Sequence, residues 1–179
     1  MMFTQIYYHP IRQVYDLHLQ DFLSAWLDGG RFGTELPRHL QMTDNEVTAA
    51  MADAARTPAA AGHDPARRII GREHFKILYE ATPGDLDITL EPGQAVAAAA
   101  GEEFGPGNIK HTQRAVKSGA VNFPVLLRDG TVASSLALSS LLGSLPSGAS
   151  DFVFVAPDRH DEAKRWLDRN RHDILSQTT

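Results

Sequence analysis

Apolar residues recur at three- and four-residue steps along the first stretch of the chain. Ile11, Val14, Tyr15, His18, Leu19, Phe22, Leu23, Trp26 and Leu27 fall on one helical face, and Gln13, Asp16, Gln20 and Asp21 fall on the other. The spacing predicts a helix stopped by Gly29-Gly30, with Pro10 either in its first turn or kinking a helix that already runs through Thr4 to Tyr8. A second helix is predicted over "TDNEVTAAMADAA", where Thr43 and Glu46 have capping-box spacing and Val47, Ala50, Met51 and Ala54 form the apolar stripe. A third is predicted from an Asp64 cap with Pro65 at its first position, its apolar positions being Ala66, Ile69, Ile70, Ile77 and Leu78.

After "TPGD" the period changes. "LEPGQAVAAAAGEEFG" reads as a short alanine-rich helix, and "NIKHTQ", "NFPVLLRDG" and "TVASSLA" read as strands, with Asp129-Gly130 as a tight hairpin turn. "LSSLLGSLPSG" reads as a short helix, "DFVFVAP" as a strand and "DRHDEAKRWLDRNRHDIL" as a closing helix. In that last helix Asp158, Asp161 and Glu162 lie at the start and Arg169 and Arg171 near the end, as the helix dipole favours. The expected fold is α+β: an N-terminal helical layer over residues 1–82, then a small, mainly antiparallel sheet with flanking helices over 83–179.

Composition narrows the class of protein. The chain has 179 residues and no cysteine, so it can bury a core and has neither disulfides nor thiolate metal sites. Its longest apolar run, Ala95 to Ala100, is too short to span a bilayer. These features set the expectation of a cytoplasmic protein with no membrane partner. A net charge of −5 gives no general attraction to nucleic acid.

Candidate chemistry is sparse. Three His-Asp dipeptides occur, His63-Asp64, His160-Asp161 and His172-Asp173. A metal-dependent HD phosphohydrolase needs a histidine, a later buried His-Asp pair and a distant aspartate converging on one ion. The first pair caps a helix, the second sits in an exposed first turn, and the third has no aspartate after it, so no metal site is expected. "GPGNIK" is a fragment of a phosphate-loop pattern and reads as a turn. Ser134, Ser135, Ser139 and Ser140 lack a nucleophile-elbow motif.

Arg68, Arg72 and Lys76 lie four residues apart, which on a continuous helix puts three positive charges on one face. Like charges at that spacing repel by roughly 0.2–0.5 kcal/mol a pair. They read either as a solvated stripe between Asp64 and Glu80 or as a site for a phosphate or acidic partner. Arginine's planar fork suits a fixed partner, so Arg72 is expected to pair with an acidic residue across the helical layer and Lys76 to stay mobile. Tyr7 and His9 read as core aromatics or as ligand contacts.

"IYYHPIRQVYDLHLQDFL", "LPRHLQMTDNEV" and "ARRIIGREHFKILYE", in that order, resemble the post-catalytic helices of the HD-domain deoxynucleoside triphosphohydrolases, a family of HD-superfamily phosphohydrolases. That family shows a tyrosine two residues before a histidine at a helix start, and an arginine separated by two residues from a Phe-Lys pair. "DGTVASSLALSSLLGSLPSGASDFVFVAP" and the helix with "AKRWL" resemble its C-terminal α+β lobe. The resemblance covers nearly the whole chain. It implies that the chain starts inside a longer protein, just after the catalytic lobe, and that the parent enzyme uses a divalent metal.

By resemblance Tyr7 matches the tyrosine that packs on the substrate sugar, and His9 matches a histidine near a regulatory nucleotide pocket at a subunit interface. Arg72 and Lys76 match the arginine and lysine of the family pattern. Pro10 stands where a basic residue can follow that histidine, and the basic residues that take an activating nucleotide are replaced near "GTVASSLAL", which points to a bacterial-type or differently regulated member. The expected function is that of the C-terminal portion of a (d)NTP phosphohydrolase, inactive alone and supplying substrate-side and homo-oligomer contacts. The alternative is a stand-alone binding or assembly module for an anionic or protein partner.

Overall fold

The computed structural model describes residues 9–114, 122–139 and 150–177. The fold is α+β, as the pattern predicts. Helix α1 (Pro10–Trp26) is followed by α2 (Leu36–Gln41), α3 (Asp44–Arg56) and α4 (His63–Ile70), then strand β1 (Lys76–Glu80), α5 (Pro83–Leu86) and α6 (Pro92–Phe104). Strands β2 (Ile109–Arg114), β3 (Pro124–Leu126) and β4 (Val132–Ser134), the short α7 (Ser135–Leu138), β5 (Ser150–Val155) and α8 (His160–Ser176) complete the described chain.

Sequence signals set several boundaries directly. His9 caps α1, its Nδ1 accepting the Ile11 N–H, and the Thr43–Glu46 capping box opens α3. Gly130 adopts φ 84° in the Asp129-Gly130 turn between β3 and β4, a conformation that costs glycine little. From Ser140 onward the helix expected over "LSSLLGSLPSG" lies outside the described residues, as does Tyr7; Leu138 ends α7 and Ser139 is extended.

The third helix departs from expectation. It starts at His63, one residue before the expected cap, behind a left-handed Gly62. It ends at Ile70 rather than continuing to Leu78, and Ile77 and Leu78 belong to β1. The reason is local: Gly71 closes the helix and Arg72 turns into the left-handed region at φ 56°, which no helix can carry on through.

Strands β1, β5 and β2 form a three-stranded antiparallel sheet with β5 in the middle, and β3 and β4 form a separate hairpin. The sheet thus unites strands from both of the regions distinguished in the sequence. Every residue of β5 is buried, because both faces are covered. Val153 and Val155 pack with Leu78, Val96, Ala100, Ala163 and Leu167 under α6 and α8, whereas Phe152 and Phe154 pack with Val14 and Phe75 under α1. A bulge in β1 between Ile77 and Tyr79 turns both Leu78 and Tyr79 into the first of these clusters. A third cluster centred on Phe22, Ala54 and Ala66 joins α1, α3 and α4.

Two α1 positions reverse the helical-wheel reading. Gln13, expected on the polar face, is buried and donates through Nε2 to Ser150 Oγ at 3.1 Å, while Ile11 is exposed. The sheet lies against a second side of α1 that a two-sided pattern does not anticipate. Arg171, expected to complement the dipole of the last helix, instead grips the buried Asp85 carboxylate at 2.8 and 2.9 Å. Burial raises the Asp85 pKa, but the Thr82 capping hydrogen bonds and the Arg171 guanidinium outweigh it and hold the carboxyl at about 2.

Candidate functional site

The break after α4 creates a cleft lined mainly by charged side chains. Gly71 is required there because a Cβ would come within 2.8 Å of the Arg67 carbonyl oxygen. Arg72 follows in a left-handed conformation, which costs a non-glycine residue about 1 kcal/mol. Phe75 then drops into the core between α1 and the sheet, and Lys76 begins β1 facing outward.

Arg67, Arg68, Arg72 and Lys76 line one cleft of about 610 Å³ together with Glu73, Asn108, Pro157 and Asp158. Four cations thus face two carboxylates. Arg67 is committed to Glu73. Among the described residues Arg68, Arg72 and Lys76 have no ion-pair partner, and Arg68 lies over the Phe75 ring at 4.6 Å.

These positions revise the reading of the basic stripe in two ways. Arg68, Arg72 and Lys76 do not share a helical face, since one is helical, one left-handed and one in a strand, yet the turn still gathers them at one cleft. The arginine with a fixed acidic partner is Arg67, not Arg72. His9 is exposed at the start of α1 and does not line the cleft.

Most of the other sequence candidates have structural partners. His63 Nδ1 bonds the Ala54 carbonyl at 2.8 Å, His160 lies between Asp161 and the Ile77 carbonyl, and His172 is exposed on α8. Ser134 caps α7, and Ser135 Oγ accepts the Phe123 N–H. "GPGNIK" forms the expected turn, although its Asn108 reaches the cleft. Among the described residues no three histidine or carboxylate side chains could hold a metal ion. The residues therefore do not fit the divalent ion of an HD enzyme, and no metal-dependent step is assigned to them.

No protein-family model matches the chain, and no curated protein matches it. Among solved structures, the fold is similar to that of a hypothetical protein from Aquifex aeolicus, with a TM-score of 0.72 and 22% identity. The match covers 93% of this chain and 42% of that one. At this identity the likeness shows the fold alone. The chain spans about two fifths of the length of that protein.

Two polar groups that pattern reading passes over support the frame of the site. Asp151 accepts the Gly93 N–H at 2.9 Å and the His111 Nε2–H at 2.7 Å, so one buried carboxylate ties β5 to the start of α6 and to β2. An acidic residue directly before the apolar run Phe152–Val155 is the signal for it. His18 is wholly buried, and its Nε2 accepts the Phe75 N–H at 3.3 Å. Its partner lies far along the chain, so no local motif reveals it.

The left-handed Arg72 yields a clean prediction. Arg72→Gly is expected to raise stability by about 1 kcal/mol, because glycine adopts this conformation freely at a position after a helix end. Arg72→Ala keeps the strained backbone and should change stability by less than about 0.5 kcal/mol. Urea unfolding of both variants checks the pair; equal values for the two would show that the backbone bears no strain there.

Proposed function

We propose that this chain is the C-terminal, non-catalytic portion of an HD-family metal-dependent (d)NTP phosphohydrolase, and that its basic cleft takes the phosphate chain of a nucleotide. The observation that carries this reading is the convergence of Arg68, Arg72 and Lys76 on one cleft with no acidic partner among the described residues. Two guanidinium groups and a flexible ammonium suit a polyanion with several oxygen acceptors, and a concave setting strengthens charge-assisted bonds relative to an open face. The sequence resemblance supplies the enzyme family, and a fold that occupies part of a much longer Aquifex aeolicus chain is compatible with it.

In this reading the metal and the hydrolytic step belong to another part of the parent enzyme, where Tyr7 would approach the sugar. The exposed Leu36 and Leu40 of α2 offer apolar area for contacts between copies. No helix among the described residues is long and apolar enough to cross a membrane.

Calorimetric titration with inorganic tripolyphosphate and with a dNTP tests the cleft. Binding should weaken by about tenfold or more in Arg72→Ala and again in Lys76→Ala, the range expected for losing one charge-assisted bond. Absence of binding at millimolar ligand would remove the nucleotide reading. Tripolyphosphate binding without any preference for a nucleotide would favour the alternative, a stand-alone module for anionic partners.

A further inference from the structure

His18 stands out among the groups that the cleft reading leaves unused. It is fully buried on α1, stacks edge-on against Phe75 at 5.1 Å, and accepts that residue's backbone N–H through Nε2. The accepting nitrogen must be unprotonated, so the neutral ring carries its proton on Nδ1, which has no hydrogen-bond partner among the described residues. Phe75 sits between Arg72 and Lys76. This bond therefore fastens the turn that bears the cleft cations to the first helix.

We propose that His18 is a proton-operated latch on the basic cleft: neutral, it holds the Arg72–Lys76 turn to α1 through the Phe75 N–H, and protonated, it releases that turn. Protonation converts the acceptor into a donor, setting N–H against N–H. It also puts a cation where others already press. Lys110 of β2 and Arg68 of α4 face the ring with like charge, His74 beside β1 adds to them, and Asp21 of α1 alone opposes them. Asp21 is itself occupied by Lys110.

Burial, then Lys110 and Arg68, lower the His18 pKa from 6.5 to about 4. The released ring binds a proton more readily than the latched one. Release therefore becomes easier as pH falls below 6.5, and the effect saturates below about 4. The His74 pKa is also lowered, by burial and by Lys76, so a His18 variant is needed to separate the two.

Amide hydrogen exchange on the full chain tests the latch. After correction for intrinsic rates, protection of the Phe75 amide should fall about tenfold per pH unit between 6.5 and about 4, because opening takes up one proton. The Phe154 amide in the central strand should stay protected, and His18→Gln, which keeps an acceptor that cannot titrate, should flatten the Phe75 profile. A flat wild-type profile, an unchanged slope in His18→Gln, or Phe154 falling in step with Phe75 would each overturn the latch. If His18→Gln does not fold, nitrogen NMR of the wild-type ring decides, since a folded ring titrating at 6.5 or above is incompatible with it.

The consequence for ligands rests on the cleft reading. Tripolyphosphate affinity should drop more steeply with acid in the wild type than in His18→Gln. No tripolyphosphate binding at any pH would refute the cleft as an anion site, while the exchange profiles would still judge the latch.

Discussion

Gly93→Ala is expected to destabilise the fold by about 3 kcal/mol or more, although alanine is ordinarily the better helix former by about 1 kcal/mol. A Cβ at this position would fall 1.8 Å from Asp151 Oδ1 and 2.3 Å from its Cγ, so the carboxylate must leave. Its departure breaks the bond from the Gly93 N–H and the bond from His111, leaving buried polar groups unpaired at three elements. Each lost bond to a charged group costs roughly 1.5–3 kcal/mol, and typical domains hold only about 5–15 kcal/mol in all. Chemical denaturation measures the loss. The double variant with Asp151→Ala should cost clearly less than the two single variants added together, because removing the carboxylate removes the clash. A loss within about 1 kcal/mol for Gly93→Ala alone would mean that Asp151 swings aside freely and does not tie the strand to α6.

Phe22→Ala should cost about 3–5 kcal/mol, the range for deleting a fully buried aromatic ring. Phe22 has no exposed surface, stacks on Trp26 with ring centres 5.6 Å apart, and joins α1 to α3 and α4. Gly62 approaches its ring so closely that a Cβ there would come within 2.8 Å of Cδ2. Cavity formation therefore removes contacts on three sides at once, and the backbone near Gly62 has no side chain with which to refill the space. Thermal unfolding followed by tryptophan emission should show a lower midpoint and a redder native spectrum, with Phe22→Leu intermediate. A loss below about 1.5 kcal/mol would show that the three helices collapse around the missing ring.

Much of this fold is legible in the sequence because its signals are local. The α1 stripe, the Thr43–Glu46 box, the Asp129-Gly130 turn and the apolar run of β5 each specify an element through neighbouring residues. The misread segment is where two local signals compete. Ile69, Ile70, Ile77 and Leu78 keep helical spacing across Gly71, and the spacing does not show the left-handed turn at Arg72 that stops the helix there.

The candidate site was half legible for the same reason. The three cations of the cleft are visible as a spacing, but the cleft depends on a left-handed turn and on Asn108, Pro157 and Asp158 from distant parts of the chain. His18 looked like one more residue of a buried stripe; what distinguishes it is the Phe75 N–H it accepts, a tertiary contact.

The position of β5 governs how the chain can fold as it is made. The strand is central in the sheet, yet it emerges after both of its neighbours. At about 5–20 residues per second, Phe75 and the β1 strand that follows it wait several seconds on the ribosome for the strand that pairs β1. The helical cluster around Phe22 needs nothing beyond α4 and can close first. Sheet formation then has to close the long loop from Glu80 to Ser150, which makes it the slow step and leaves two unpaired strands exposed to misassociation until it happens.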